Sequence, residues 1–266
     1  MKEPLKDVQS EIDERKLEIQ KVGIKGIKYP IYVLDKLNKY QHTIATIDMY
    51  VDLPHNFKGT HMSRFIEIIN SYRKGIAITN FKDILHAIKT KLHAKSSHLT
   101  IEFPYFIEKK APVTKSKSLM SYDCVFSGNL SKSFDFFVEV RVPITTVCPC
   151  SKTISAEGAH NQRGVVNVRV RFDGFLWIED LVAIVEKSAS CDIFALLKRS
   201  DEKYVTERAF ANPMFVEDIV REVALRLMED TKIKWFSIEA INFESIHNHN
   251  AYAYIERAKD ASGRFV

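Results

Sequence analysis

Hydrophobic and polar residues alternate along several stretches of the chain and recur at helical spacing along others. Two-residue alternation predicts four β-strands, at residues 43–54, 132–143, 233–244 and 250–257. Apolar residues spaced three and four apart predict three helices, at residues 81–95, 177–189 and 213–230. This mixture predicts an α+β protein in which helices pack on one face of an antiparallel sheet.

The ends of these elements carry signals of their own. Pro54 and Pro143 are expected to end the first two strands, because proline cannot donate a hydrogen bond within a sheet. Asn80, or a residue close to it, is expected to cap the helix that follows it. Pro213 suits the first turn of the last helix.

Three features recur in the same order, which predicts two copies of one supersecondary unit. The recurring pairs are the strands at 43–54 and 132–143, the Gly-x-His-x-x-Arg motifs at 59–64 and 158–163, and the strings LTIEFPYF at 99–106 and FSIEAINF at 236–243. The spacing of apolar residues in segment 65–72 does not decide between a helix and a strand. In this alignment the segment lies opposite 165–172, which favours a strand. The predicted organisation is an N-terminal extension and two modules, at residues 1–22, 23–130 and 131–266.

The second copy differs from the first by two insertions. About ten extra residues between its proline and its histidine contain Cys148 and Cys150, and some 38 extra residues further on contain Glu202 and Glu217. A duplicated scaffold that gains cysteine and glutamate in one copy indicates that a functional site is built in that copy.

Composition narrows the class of protein. The chain has 266 residues, of which 45% are hydrophobic and 27% charged, so it is expected to bury a core of ordinary size. A charged N-terminus without an apolar segment, and no apolar run of about 18 residues, predict a cytoplasmic protein that does not enter a membrane. The net charge of +5 suits anionic ligands but does not by itself predict nucleic-acid binding.

The stretch TTVCPCSKTISAEGAHNQRG is the strongest chemical signal. Cys148 and Cys150 lie one residue apart and His160 follows, and thiolate and imidazole are preferred ligands of zinc. Two thiolates with two histidines would make a closed structural site, whereas one thiolate would leave a position open for water. The simpler alternative is a pair of reduced cysteines near a surface loop. Cys124 and Cys191 are assigned to packing.

Other polar residues have both a functional and an ordinary explanation. His247 and His249 would point to one side of an extended segment, and His247 could approach the loop that carries Cys148 and Cys150. The ordinary explanation is a polar loop between strands. Glu202 and Glu217 could be solvated, but Glu217 is expected in a first helical turn, and a carboxylate matches the N1–H and N2–H donors of guanine. The basic residues that could hold phosphates, or be plain surface charge, are Lys58, Arg64, Lys152 and Arg163.

Several strings together resemble the prokaryotic GTP cyclohydrolases of type IB. They are VGIKGIKYP, KGTHMSRF, VCPCSKTISAEGAHNQRG, DEKYVTERAFANPMFVED and FESIHNHNAYA, and the likeness runs from about Asp7 to Arg257. The resemblance implies two tandem tunnelling-fold modules and a homotetramer with active sites at subunit interfaces. It also implies hydrolysis of GTP to formate and 7,8-dihydroneopterin triphosphate, the first step of pterin and folate synthesis. Whether folate, other pterins or modified tRNA bases such as queuosine use the product is left open.

The resemblance also implies roles for individual residues. Cys148, His160 and Glu202 would hold a divalent ion, zinc or else manganese or iron, with His247 as a further ligand or as a proton carrier. Cys150 would lie beside the metal as a polar or proton-handling group. Glu217 would anchor the guanine. The triphosphate would need basic side chains, for which the candidates are Lys58, Arg64 and Arg163.

Two other classes of function remain open at this point. One is a tunnelling-fold reductase of a deazapurine nitrile, which would use a cysteine nucleophile and NADPH and no metal. Cys148, His160 and Glu202 together argue against it. The other is a zinc-stabilised nucleic-acid-binding module, which would show strongly salt-dependent binding.

Overall fold

A computed structural model describes residues 7–9, 11–72 and 75–266. Its strands are β1 (Ile19–Asp35), β2 (Lys39–Leu53), β3 (Ser97–Lys110), β4 (Lys117–Leu130), β5 (Phe134–Val147), β6 (Asn161–Phe172), β7 (Ile233–Asn242) and β8 (Ala251–Ala258). Its α-helices are α1 (Met62–Tyr72), α2 (Phe81–Lys91), α3 (Pro149–Ile154), α4 (Ile178–Lys187), α5 (Arg199–Ala211) and α6 (Val216–Glu229). None of the helices in the described ranges is long and apolar enough to cross a membrane.

The strands follow one another in chain order, β1 to β8, in one sheet. The pairs β1–β2, β2–β3, β5–β6, β6–β7 and β7–β8 are antiparallel. Helices lie between β2 and β3 and again between β6 and β7, so the order strand, strand, helices, strand, strand occurs twice. The predicted α+β architecture and the predicted duplication of its elements are therefore present.

The chain divides into two compact units. One comprises the described residues up to Phe103 together with Val125–Phe136, and the other comprises Pro104–Cys124 together with Phe137–Val266. The module boundaries drawn from the sequence, at 23–130 and 131–266, remain a prediction about the repeat.

The core of the first unit is aromatic at its centre. The ring of Phe81, the first residue of α2, lies 4.6 Å from that of Phe136 and 6.5 Å from that of Phe126, which in turn lies 5.0 Å from Phe103. The spacing of apolar residues predicts that Phe81, Ile84, Leu85, Ile88 and Leu92 share one face of α2. The first four are fully buried, and Leu92, at the C-cap, is half-buried. Offset and edge-on contacts of this kind stabilise a core beyond the area that they bury.

In the second unit, helix α6 packs against β7 and β8. Ile219, Val223 and Leu227 are spaced four residues apart along α6 and are fully buried, as predicted. The other apolar positions of this predicted helix, Leu225 and Phe215, are 56% and 44% exposed. Leu225 lies on the opposite side of the helix, and Phe215 is the N-cap residue.

Segment 65–72 is helical, so the predicted strand there is wrong. It belongs to α1, whose buried residues Phe65, Ile68 and Ile69 have helical and not alternating spacing. The predicted strand rested on the match with 165–172, which lies in β6, but the two segments do not adopt the same structure.

The two Gly-x-His motifs are not structurally equivalent. Gly59 and His61 follow β2, the second strand of its copy, whereas Gly158 and His160 precede β6, the second strand of the other copy. The true counterpart of the cysteine loop is the short link 36–38 between β1 and β2. The cysteine loop spans 148–160 between β5 and β6, so it is still an insertion in the second copy.

Three predicted element ends also differ. Strand β5 continues past Pro143, which pairs with Val165, although β2 does end before Pro54 as predicted. The Asn80 side chain makes no cap for α2, because it accepts from Ala77 N and donates to Gly75 O instead. Helix α6 begins at Val216, so Pro213 lies before its first turn.

Candidate metal centre

Cys148 is held at the point where β5 passes into a short helix. It is the N-cap of α3, Pro149 follows at the first helical position, and the backbone N–H of Ser151 donates to its Sγ at 3.4 Å. This contact and the cap hold the sulfur in place at the start of α3. The thiol is half-buried, whereas Cys150 on the same helix is exposed.

His160 lies directly beside Cys148. The N–H of Cys148 donates to the carbonyl oxygen of His160 at 3.1 Å, which continues the β5–β6 pairing by one residue beyond Val147 and Asn161. Gly158, at φ +82°, supplies the left-handed residue that the returning loop requires. The register of β5 and β6 therefore places the thiol of Cys148 and the imidazole of His160 on neighbouring residues of two strands, although the two lie far apart in the sequence.

Ser151 ties Cys148 and His160 together by three contacts. Besides its N–H bond to the sulfur, its Oγ accepts from the His160 N–H at 3.2 Å and donates to the Cys148 carbonyl at 3.3 Å. Ser151 was not predicted from the sequence, although serine three residues after a capping position is a pattern that local hydrogen bonding can use.

The Nδ1 side of the His160 ring is engaged within the protein. Nδ1 lies 3.0 Å from Gln162 Oε1, 3.5 Å from Ser245 Oγ and 3.9 Å from Glu244 Oε2. This leaves Nε2 as the ring nitrogen that can coordinate an ion. Gln162, Glu244 and Ser245 were not singled out from the sequence. Alternation along β6 is the signal that could have placed Gln162 on the side of His160.

A small apolar cluster connects the cysteine loop with α5. Val147, Cys191 and Ala209 are buried together, with Ala159 and Val205 packed against them. Glu202 lies three residues before Val205 and seven before Ala209, so it is on the face of α5 that packs against the loop. Its side chain is exposed and lies in the first turn of α5.

The start of α5 is anchored by the neighbour of Glu202. Asp201 is fully buried and accepts hydrogen bonds from Val113 N, Thr114 N, Thr114 Oγ1 and Lys198 N at 2.6–3.0 Å. Burial works against its ionisation, but these hydrogen bonds hold the pKa of Asp201 below its usual range. The first turn of α5, which carries Glu202, is therefore anchored to the rest of the unit by Asp201.

His247 and His249 lie in the loop between β7 and β8, and both are exposed. Their rings stack with centroids 5.0 Å apart, so the two side chains do lie on one side of the segment. Glu244 and Ser245, just before them, are the residues of this segment that approach His160. His247 itself remains a candidate.

Within residues 7–9, 11–72 and 75–266, no three His, Cys, Asp or Glu side chains come together in an arrangement that could hold a metal ion. The structure thus unites Cys148 with His160, and Glu202 and His247 stay as predicted ligands. The pair fits a borderline-soft divalent ion in two respects, the sulfur and nitrogen donor types and the free Nε2 edge of the imidazole.

Glu217 lies in the first turn of α6, as predicted, and is exposed. It lines an open depression of about 670 Å³ together with Arg221 and with Tyr252 and Tyr254 of β8. A carboxylate beside two aromatic side chains is an arrangement that can take a flat base with hydrogen-bond donors on one edge.

The basic candidates have different surroundings. Arg163 lines a cavity of about 420 Å³ with Thr145, Asn161 and Phe210, beside the cysteine loop. Arg64 lines a cavity of about 290 Å³ in the first unit with His61 and His93, and its Nη1 donates to the Lys91 carbonyl.

The remaining two basic residues have partners of their own. Lys58 pairs with Glu11 at 3.0 Å. Lys152 donates to the Phe210 carbonyl at 2.5 Å, which ties α3 to the end of α5.

Cys124 and Cys191 are buried, in agreement with a packing role. Burial raises the pKa of both thiols, so both remain protonated near neutral pH. Neither is therefore suited to act as a nucleophile or as a metal ligand.

We expect Ser151→Ala to lower zinc affinity by about 10- to 100-fold, because its hydroxyl joins the backbones of both ligands. Titration of the apo protein with zinc against a chromophoric chelator measures this. Thr153→Ala is the matched control, since its hydroxyl donates only to the Pro149 carbonyl on the same helix. Equal affinities for the two variants would show that Ser151 does not position the ligands.

Comparisons with known proteins identify the family. Residues 5–253 match the family model described as Type I GTP cyclohydrolase folE2. A protein of Syntrophus aciditrophicus named GTP cyclohydrolase FolE2 is 62% identical over 252 residues, which cover 94% of this chain and 99% of the relative. A protein of Geobacter metallireducens with the same name is 59% identical over 253 residues, covering 95% and 97%.

Solved structures with a similar fold are urate oxidases. That of Bacillus subtilis aligns with a TM-score of 0.52 at 9% identity, covering 90% of this chain and 99% of its own. The uricase of Arthrobacter globiformis aligns with a TM-score of 0.53 at 7% identity, covering 91% and 94%. At such identity the likeness shows the fold alone, and it confirms the predicted tunnelling fold. The resemblance seen in the sequence motifs is confirmed as well, and the chain belongs to the type I GTP cyclohydrolase folE2 family.

Proposed function

We propose that this protein hydrolyses GTP to formate and 7,8-dihydroneopterin triphosphate with the help of a divalent metal ion, as the first step of pterin and folate synthesis. The observation that carries the proposal is the Cys148–His160 pair, clasped by Ser151, in a chain that belongs to this family. The relatives named above bear the name of a GTP cyclohydrolase, and not that of a reductase or of a nucleic-acid-binding protein.

Cys148, His160 and Glu202 would hold the ion, with His247 beside it as a further ligand or as a proton carrier. Zinc suits a thiolate and an imidazole, and manganese or iron would suit the same set once a carboxylate is included. When bound, the ion would supply a Lewis acid that activates water for attack on C8 of guanine. With Cys148 as the one thiolate in this set of three ligands, a coordination position would be left for that water.

The protein residues would then bind the substrate and move protons. Opening of the imidazole ring and release of formate each need proton transfer, for which His247 and the exposed Cys150 are the candidates. Arg163, beside the cysteine loop, would bind the triphosphate. Lys58 and Arg64 are the other basic candidates for this role. We include in the proposal a homotetramer with sites at subunit interfaces, because β1 and β8 are edge strands of the sheet.

The direct test is to incubate metal-loaded protein with GTP under reducing conditions. Formate and a product that becomes fluorescent after oxidation are expected, with zinc, manganese and iron tried separately. Absence of both products with all three metals would reject the proposal. A thioimide adduct on a cysteine with a deazapurine nitrile would instead support the reductase alternative.

We expect Glu217→Gln to lower kcat/KM for GTP by about 10- to 100-fold, because an amide cannot accept from both N1–H and N2–H of guanine as a carboxylate does. Initial rates across a range of GTP concentrations measure this. Glu229→Gln is the matched control, an exposed carboxylate at the other end of the same helix. A similar loss in both variants would point to helix stability in place of guanine binding.

A further inference from the structure

Gln162 is the closest partner of the His160 ring among the three residues that approach Nδ1. The distance from Nδ1 to Gln162 Oε1 is 3.0 Å, against 3.5 Å to Ser245 Oγ and 3.9 Å to Glu244 Oε2. Gln162 lies two residues after His160 at the start of β6, so strand alternation places both side chains on one side.

The amide of Gln162 has a hydrogen-bond partner at each end. Its Nε2 donates to Thr146 Oγ1 at 2.9 Å, and the two residues lie directly opposite each other on β6 and β5. Thr146 is fully buried and Gln162 is 7% exposed, so water does not compete for these bonds. With the donor end of the amide bound to threonine, the acceptor end faces His160.

The orientation of the amide decides which nitrogen of His160 is available. A neutral imidazole carries one proton, and an acceptor oxygen at Nδ1 requires that the proton is on Nδ1. The lone pair is then on Nε2. A histidine that binds a metal commonly donates its other N–H to a neighbouring acceptor, which fixes both tautomer and ring direction.

We propose that Gln162, oriented by Thr146, is a positioning residue that holds His160 as the Nδ1–H tautomer and presents Nε2 to the metal beside Cys148. The inference rests on the proposed function only in that an ion binds Cys148 and His160. Thr146 and Gln162 thus lie behind His160 and are buried between β5 and β6. Ser151 positions the backbones of Cys148 and His160.

The test uses the full chain with two readouts. The first is the tautomer of His160, read from nitrogen chemical shifts in metal-free, ¹⁵N-histidine-labelled protein and assigned by loss of the signal in His160→Gln. The second is the affinity for zinc alone, measured against a chromophoric chelator. Gln162→Leu is expected to move the proton from Nδ1 toward Nε2 and to lower zinc affinity by about 10- to 100-fold.

Three further variants separate positioning from a general structural role. Gln162→Glu keeps an acceptor at Nδ1 and should retain the tautomer. Thr146→Val removes the partner of the Gln162 amide and should shift both readouts in the same direction as Gln162→Leu. If Gln162→Leu does not fold, Thr146→Val takes its place in the test. Gln41→Leu, which removes an amide bonded to Asp35 in the first unit, should leave both readouts unchanged.

The inference is overturned if wild-type His160 carries its proton on Nε2, or if folded Gln162→Leu binds zinc within twofold of wild type. A wild-type protein that binds zinc with the Nδ1–H tautomer and yet releases no formate from GTP would reject the proposed reaction and leave this inference standing. The two failures are therefore distinguishable.

Discussion

Cys148→Ala is expected to lower kcat for GTP hydrolysis by more than about 100-fold, because it removes a metal ligand. This loss is larger than the roughly 10- to 100-fold effect typical of losing a residue that only supports a ligand, such as Gln162. The fold should remain, because Cys148 is half-buried and caps a helix of only six residues. Losing a capping acceptor costs about 1 kcal/mol, a small part of the stability of a domain. Formate release, zinc content and the thermal midpoint measured on one preparation decide the matter.

Cys150→Ala is the informative comparison for this variant. Its thiol is exposed and lies on the same short helix, so a structural effect of cysteine replacement would affect both variants alike. We expect Cys150→Ala to keep bound zinc and to lose less activity than Cys148→Ala. Equal zinc loss in the two variants would indicate a site closed by both thiolates, and an insoluble Cys148→Ala protein would contradict the catalytic role.

Lys109→Met is expected to lower the free energy of unfolding by about 3–5 kcal/mol, because it leaves a buried carboxylate without its cation. The Lys109 ammonium lies 2.7 Å from Glu186 Oε1, 3.3 Å from Asp192 Oδ2 and 2.9 Å from the Ile193 carbonyl oxygen. The side chains of Lys109 and Glu186 are 9% and 12% exposed. Urea denaturation at fixed protein concentration measures the loss.

Lys117→Met is the matched control for this prediction. Lys117 pairs with Glu108 at 2.9 Å, but the two side chains are 61% and 41% exposed. A solvated pair of this kind contributes about 0–1 kcal/mol. Equal losses in the two variants would show that burial of the Lys109 pair is not what matters. Adding Glu186→Gln to Lys109→Met should recover part of the stability.

The loss in Lys109→Met should depend on pH in a defined direction. Burial raises the pKa of Glu186 above its ordinary 4.5 even with Lys109 present, and removing the ammonium raises it further. Between the unfolded and the folded pKa the native state binds more protons, so stability falls as pH rises through that range. The deficit relative to wild type should therefore be smaller at pH 5 than at pH 8.

Local sequence patterns predicted much of the fold. Helix α2 and the strands near 43–54 and 233–244 were predicted because apolar side chains at one spacing must share one buried face. The strand predicted at 65–72 is wrong because the prediction followed the repeat alignment and not the helical spacing of Phe65, Ile68 and Ile69. Strand β5 was cut at Pro143 because proline usually ends a strand, yet the pairing with Val165 continues there.

Some residues of the candidate site were predicted from the sequence and others were not. Cys148, His160 and Glu217 were predicted because their side-chain chemistry is visible in a string of letters, and the exposed first-turn position of Glu217 follows from helix geometry. Ser151, Gln162 and Thr146 were missed, since ordinary polar residues acquire a role only from the partner that they meet. Glu202 was predicted from family resemblance, and the packing of Val205 and Ala209 supplies a physical reason for it.

By itself the sequence determined the class of elements and the family, because periodicity and motif chemistry are local properties of the chain. Of the three matched pairs that predicted the duplication, only 99–106 and 236–243 lie on corresponding strands, β3 and β7. Only the tertiary structure decided that β5 and β6 pair in the register that sets Cys148 beside His160 and Thr146 opposite Gln162. It also decided that the cysteine loop corresponds to the short β1–β2 link and not to the segment around His61. The physical reason is that strand register and hydrogen-bond direction are fixed by contacts between residues far apart in the chain, which no local pattern encodes.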